Sequence, residues 1–159
     1  MRTFIFDLDH TVIDSSHRQI TLADGSLDLN NWIENCTKEK IMADKLLPLA
    51  DHWKKAATYP WNEVVVCTAR VMGEHDHAFL ALHGLKAAAI LSRPLGDRSG
   101  DADLKERLLR QYASDTGRSW AQFSRFACIY DDNKNVLSRL ASIGIAVYNA
   151  ISLNKKMAA

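Results

Sequence analysis

Three short runs of apolar residues stand out along the chain, and each breaks off into polar residues. Phe4-Ile5-Phe6 runs into Asp7, Val64-Val65-Val66-Cys67 into Thr68, and Phe126-Ala127-Cys128-Ile129-Tyr130 into Asp131. Runs this short, apolar on both faces and rich in branched or aromatic side chains, predict strands of a parallel sheet covered on both sides by helices. Ala88–Leu91 and Ile145–Tyr148 are weaker strand candidates.

Helical periods lie between these runs. Leu46, Leu49, Ala50, Trp53 and Ala57 recur at spacings of three or four until Pro60 ends the segment. Ala78, Leu82 and Leu85 mark a second helix that stops near Gly84. Asp101 to Tyr112 carries Leu104, Leu108 and Leu109 on one side, with an acidic start and Arg110 near its end, as the helix dipole favours. Asn133 to Ser142 carries Val136, Leu137 and Leu140 before Gly144 caps it. Strands alternating with helices predict a three-layer α/β/α arrangement with right-handed crossovers. Residues 14 to about 40 break this rhythm with turn residues and a single Trp32. They read as a small insertion of turns and one short helix over the end of the first strand. No repeat or linker is visible, so residues 1–159 are expected to form one domain with that insertion at about 14–40.

Composition narrows the picture only slightly. The 159 residues are 47% hydrophobic, enough for one core, and the formal net charge is +1. That balance gives no broad basic face for nucleic acid or membrane. Cys36, Cys67 and Cys128 are odd in number and show no metal or disulfide spacing, which suits reduced thiols. Acidic residues interrupt the N-terminal apolar run, and no stretch approaches the roughly 18 apolar residues of a membrane span. A soluble, cytoplasmic protein is expected, and nothing in the pattern specifies a protein partner.

The chemistry follows from where the strands end. In open parallel sheets ligands sit beyond the carboxyl ends of the strands, so Asp7, Thr68 and Asp131-Asp132 should converge. Asp7 and Asp9, two residues apart, bring two carboxylates into one small space, and Asp131 and Asp132 add more. Such a cluster repels itself unless a cation joins it or one member keeps its proton. All-oxygen donors favour Mg²⁺ over zinc. Thr68 offers a hydroxyl donor and Lys105 a positive point charge for phosphoryl oxygens. Taken singly, Thr68 reads as a helix cap, and a solvated lysine is the alternative for Lys105. His75, Asp76 and His77 sit at a helix start, where their faces diverge, and are not expected to bind metal.

These residues carry a resemblance. Asp7-Leu8-Asp9-His10-Thr11-Val12 resembles the first motif of haloacid dehalogenase superfamily phosphatases, although His10 stands where Gly is frequent. Val65-Val66-Cys67-Thr68 resembles the second motif, Lys105 the third, and Tyr130-Asp131-Asp132 the fourth. Four motifs in order over nearly the whole chain imply the Rossmann-like fold of that superfamily. They also imply a magnesium-dependent phosphomonoesterase. By that resemblance Asp7 would form an aspartyl-phosphate, and Asp9 would protonate the leaving group and then activate water. Mg²⁺ would be held by Asp7, the Asp9 carbonyl and Asp131 with Asp132 nearby, and Thr68 and Lys105 would grip the phosphoryl group.

The substrate is read from two features. The spacing between motifs leaves room for no large cap. The segments Val64–Arg70, Leu91–Arg98 and Tyr130–Asn133 resemble the phosphatase domain of bacteriophage-type polynucleotide kinase–phosphatases. That implies removal of 3′-phosphate from nucleic acid ends, with Arg70 and Arg93 as substrate contacts. No Gly-x-x-x-x-Gly-Lys phosphate loop is present, so a stand-alone phosphatase acting on nucleic acid ends is expected. The alternative is a nucleotidase acting on mononucleotides.

Overall fold

The computed structural model describes residues 1–159. The first apolar run forms β1 (Arg2–Phe6), the second β4 (Asn62–Thr68) and the third β6 (Ala127–Asp131). β1 lies at the centre, with β4 and β6 on either side. The weaker candidates form the edges, β5 (Ala89–Ser92) and β7 (Ala146–Asn149), each shifted one residue from the expected run. All neighbours in the order β5-β4-β1-β6-β7 are parallel.

Alternation along the strands splits the core in two, because successive side chains point to opposite faces. Phe6, Val64, Val66, Cys128 and Tyr130 meet Leu49, Ala50 and Trp53 of α3 (Leu49–Ala57) and Phe79 and Leu80 of α4 (Glu74–Leu82). Ile5, Val65, Cys67 and Ile129 meet helices on the other face. These are α5 (Asp101–Asp115), α6 (Trp120–Phe126) and α7 (Lys134–Ser142), which contribute Leu109, Phe123, Val136 and Leu140. The three-layer α/β/α class expected from the sequence is therefore present.

Several boundaries differ from the periodic reading. Leu46 belongs not to a helix but to β3 (Lys45–Leu46), and α3 begins only at Leu49, after Pro48. A residue preceding proline is pushed out of the helical region, which fixes that start. Phe126 ends α6 rather than starting β6, and it is exposed. α6 itself was missed, although Ser119 and Gln122 form a capping box at its start. α8 (Ala150–Ala158) was also missed. Asn154 anchors it, its side-chain amide donating to the Thr11 carbonyl at 2.8 Å while its oxygen accepts from the Leu49 amide at 2.8 Å.

The insertion is more structured than expected, with two short helices rather than one. β2 (Ile13–Asp14) pairs antiparallel with β3 and closes its base. Between them lie a 3₁₀ turn at Ser16–Arg18, α1 (Leu29–Glu34) and α2 (Lys38–Met42). Asp28 and Thr37 cap the two helices, their side chains accepting from the backbone N–H groups of Asn31 and Lys40. α1 buries no residue and α2 only Ile41, so neither leaves a hydrophobic period to read.

Candidate active site

Register brings the chemistry together. Phe6 is level with Val66 on one side and Tyr130 on the other, and the Asp7 N–H continues the ladder to the Tyr130 carbonyl at 3.0 Å. Asp7 and Asp131 thus leave adjacent strands at the same height, and Thr68 stands at the end of β4. The chain then turns sharply. The amides of Thr11, Val12 and Ile13 all donate to the Leu8 carbonyl at 3.0–3.2 Å, and His10 takes a left-handed φ of 58°. A non-glycine residue seldom adopts that conformation. His10 is held there by a hydrogen bond between its Nε2 and Gln19 Oε1 at 2.9 Å.

Asp7, Asp131 and Asp132 form one acidic cluster, with one carboxylate oxygen from each within 4.8 Å of the others. Lys105, from the first turns of α5, is buried and bridges two of them. Its Nζ lies 2.8 Å from Asp7 Oδ1 and donates to Asp131 Oδ2 at 2.6 Å. Burial raises the Asp7 carboxyl well above the usual carboxylate range, against the pull of Lys105, and Asp131 adds to the rise. Burial likewise raises Asp131, and burial together with Asp7 pushes Asp132 up to about 6. Three crowded carboxylates against one ammonium leave an excess of negative charge among oxygen donors, which fits a hard divalent cation such as Mg²⁺. Thr68 Oγ1 accepts from the Arg70 N–H at 3.1 Å, which leaves its own proton free to donate.

Asp9 faces a different set of partners. Its side chain is 23% exposed, while that of Arg70 is 2% exposed. Arg70 Nη2 donates to Asp9 Oδ1 at 2.5 Å and Arg70 Nε to Oδ2 at 3.1 Å, and Ser15 Oγ donates to Oδ1 at 2.5 Å. Burial would raise the Asp9 carboxyl, but the charge and hydrogen bonds of Arg70, with Ser15, outweigh it and hold it below the usual range.

Arg70 is thus committed within the protein. Its Nη1 donates to Asp76 Oδ1 at 2.6 Å, and its Nη2 lies 3.8 Å from Asp44 Oδ2. Arg93, the other arginine singled out in the sequence, holds the loop before α5. It donates to the carbonyls of Ala69, Asp97 and Ser99 and to Asp101 Oδ1, at 2.8–3.2 Å. Asp76, set aside with its flanking histidines, also accepts from the Gly73 N–H at 2.8 Å and so fixes the start of α4. Arg18 and Asp44 were not anticipated. Both are buried, and Arg18 donates to Asp44 through Nε and Nη2, each at 2.9 Å.

A parallel sheet in this order, carrying acidic residues at its central strand ends, is the fold of haloacid dehalogenase-like hydrolases. Solved structures share that fold. A haloacid dehalogenase-like hydrolase from Streptococcus pneumoniae is similar at TM-score 0.63 and 14% identity, over 94% of this chain and 84% of its own. A superfamily enzyme from Bacteroides thetaiotaomicron, in complex with magnesium and inorganic phosphate, is similar at TM-score 0.51 and 11% identity, over 94% and 93%. A chain of the Pnkp1/Rnl/Hen1 RNA repair complex is similar at TM-score 0.64 and 18% identity over 94% of this chain, which spans only 42% of that one. The chain belongs to the bacteriophage T5 5′-deoxynucleotidase family, which it matches over residues 1–159. The 5′-deoxynucleotidase of Escherichia phage T5 is 31% identical over 169 residues, covering 96% of this chain and 68% of the relative. The protein is a phosphatase. No helix is long and apolar enough to cross a membrane.

Proposed function

We propose that this phosphatase hydrolyses deoxynucleoside 5′-monophosphates, with Asp7 as the nucleophile, and that residues 1–159 act as one catalytic unit under the small insertion. Kinship over the whole chain with a 5′-deoxynucleotidase family carries this reading. It replaces the 3′-end phosphatase as the favoured substrate class, since the likeness to the RNA repair chain is one of fold alone at 18% identity.

In this reading an Asp7 oxygen attacks phosphorus while the bond from phosphorus to the nucleoside oxygen breaks, and Asp9 passes its proton to that leaving oxygen. A phosphate dianion beside Asp9 raises its hold on a proton, opposing the effect of Arg70. Asp9 then takes a proton from water as the water attacks the aspartyl-phosphate, releasing inorganic phosphate and restoring Asp7. Thr68 and Lys105 donate to the phosphoryl oxygens and hold them in line. Asp7, Asp131 and Asp132 would hold Mg²⁺, together with the Asp9 carbonyl, and the ion would neutralise charge on the transferring group.

Phosphate release from a deoxynucleoside 5′-monophosphate and from a 3′-phosphorylated oligonucleotide, each with Mg²⁺ or with EDTA, tests this reading. Magnesium-dependent release from the mononucleotide, reduced at least about 10³-fold in Asp7→Asn, is the expected result. Faster release from the oligonucleotide would return the reading to nucleic acid ends.

A further inference from the structure

The most extensive set of buried charges that the proposed chemistry leaves unexplained surrounds Arg70. Its guanidinium meets Asp9 through a fork, with Nη2 on Oδ1 and Nε on Oδ2, while Nη1 is taken by Asp76. A bidentate fork fixes both the position and the plane of a carboxylate, which a single contact cannot do. The back of the arginine is fixed in turn. Asp44, with a fully buried side chain, lies 3.8 Å from Nη2 and is itself held by the Arg18 fork and by His17 Nε2 at 2.8 Å. The Trp32 ring of α1 packs under both guanidinium groups, 4.1 Å from Arg18 and 5.5 Å from Arg70.

The two Asp9 oxygens are not equivalent. A carboxylate oxygen offers about two lone-pair sites. On Oδ1 both are used, by Ser15 and by Arg70 Nη2. Oδ2 accepts only from Arg70 Nε and keeps one site open. We propose that Arg70 is the positioning residue of the general acid, turning Asp9 so that Oδ2 alone carries the transferable proton. The insertion, through Arg18, Asp44 and Trp32, serves to brace Arg70. This rests on the reading of Asp9 as the acid. It gives the insertion a task in the chemical step and places Arg70 on the acid instead of on the substrate phosphate.

Aryl phosphates of graded leaving-group basicity test it, because a basic leaving oxygen needs the proton and an acidic one does not. Arg70→Lys keeps the charge and loses the fork. It should lower kcat on phenyl phosphate by roughly 30- to 100-fold, up to the lower end of the usual contribution of a general acid, about 10²–10⁴-fold. The pre-steady-state burst of dinitrophenolate from 2,4-dinitrophenyl phosphate should fall less than about threefold, with KM changed by less than about twofold. Asp9→Asn, run in parallel, should show the same selectivity. If it does not, the assignment of Asp9 fails, whatever Arg70→Lys does. With Asp9→Asn selective, equal losses on both esters or a raised KM in Arg70→Lys would overturn the positioning role and place Arg70 on the substrate. Asp76→Asn loosens Arg70 from its far side and provides the second variant should Arg70→Lys fail to fold by circular dichroism. It should show the same selectivity at roughly five- to tenfold, and a folded Asp76→Asn with no selectivity would also overturn the proposal.

Discussion

Lys105 shows how much of this site a single side chain holds together. It is buried between Asp7 and Asp131, at 2.8 and 2.6 Å. Removing it leaves two buried carboxylates facing each other without a counter-charge, a change that costs about 3–5 kcal/mol at comparable sites. Lys105→Met should therefore lower the urea midpoint strongly, and the double variant Asp7→Asn/Lys105→Met should recover part of the loss. Additive losses in that double-mutant cycle would mean that the two groups do not interact. Asp7, Asp9, Thr68, Lys105, Asp131 and Asp132 could be read from the sequence because each follows a strand or opens a helix at a motif spacing. Arg18, Asp44 and Asp76 could not. Their meaning lies in ion pairs to partners 26 and 6 residues away, which no period or motif encodes. Arg70 could be singled out, but its partner Asp9 lies 61 residues away.

Among the elements, strands were legible where they are buried on both faces, and helices where one face packs on the sheet. Part of what escaped is tied by polar contacts: Asn154 joins α8 to Thr11 and Leu49 through two hydrogen bonds, and α1 buries no residue. A second polar tie fastens the opposite end of the sheet. Glu63 of β4 accepts hydrogen bonds from Thr3 Oγ1 at 2.8 Å, from Tyr112 Oη at 2.6 Å and from Arg118 Nη1 at 2.9 Å, joining β1, β4, α5 and the loop before α6. Burial would raise the Glu63 carboxyl, but these hydrogen bonds and the Arg118 charge hold it below its ordinary 4.5. A carboxyl depressed on folding stabilises the native state fully above its unfolded value and loses that contribution as pH falls through the folded one. Denaturant midpoints measured from neutral pH downward should decline below about 4.5. Glu63→Gln should cost about 1–3 kcal/mol at pH 7 and flatten part of that decline. An unchanged slope in the variant would remove Glu63 from the acid response.

At the scale of the whole molecule, parallel pairing and the helices that link the strands follow from the alternation of short apolar runs with helical periods. They place the carboxyl ends of the central sheet's strands on one edge. Strand order could not be read, because it depends on which hydrophobic faces meet across long sequence separations; β1 pairs with β4 and β6, both far along the chain from it. Charge bears on the substrate at this same scale. A formal net charge of +1 provides no general attraction for a phosphate backbone. The two exposed carboxylate–arginine groupings seen on the surface, Arg110 and Arg139 with Glu106 and Arg107 with Asp97, are already paired. A protein that tracks a nucleic acid strand releases counterions, and its affinity falls by about 10³–10⁵ between 50 and 200 mM salt when six to ten phosphates are contacted. A mononucleotide presents one phosphate to a local cluster and releases almost none. kcat/KM on a deoxynucleoside 5′-monophosphate should therefore change by less than about threefold over that salt range. It should also gain nothing when the substrate is lengthened to a 5′-phosphorylated oligonucleotide. A steep salt dependence that grows with strand length would instead mean that phosphates beyond the reacting one are gripped, and the substrate would then be the polymer end.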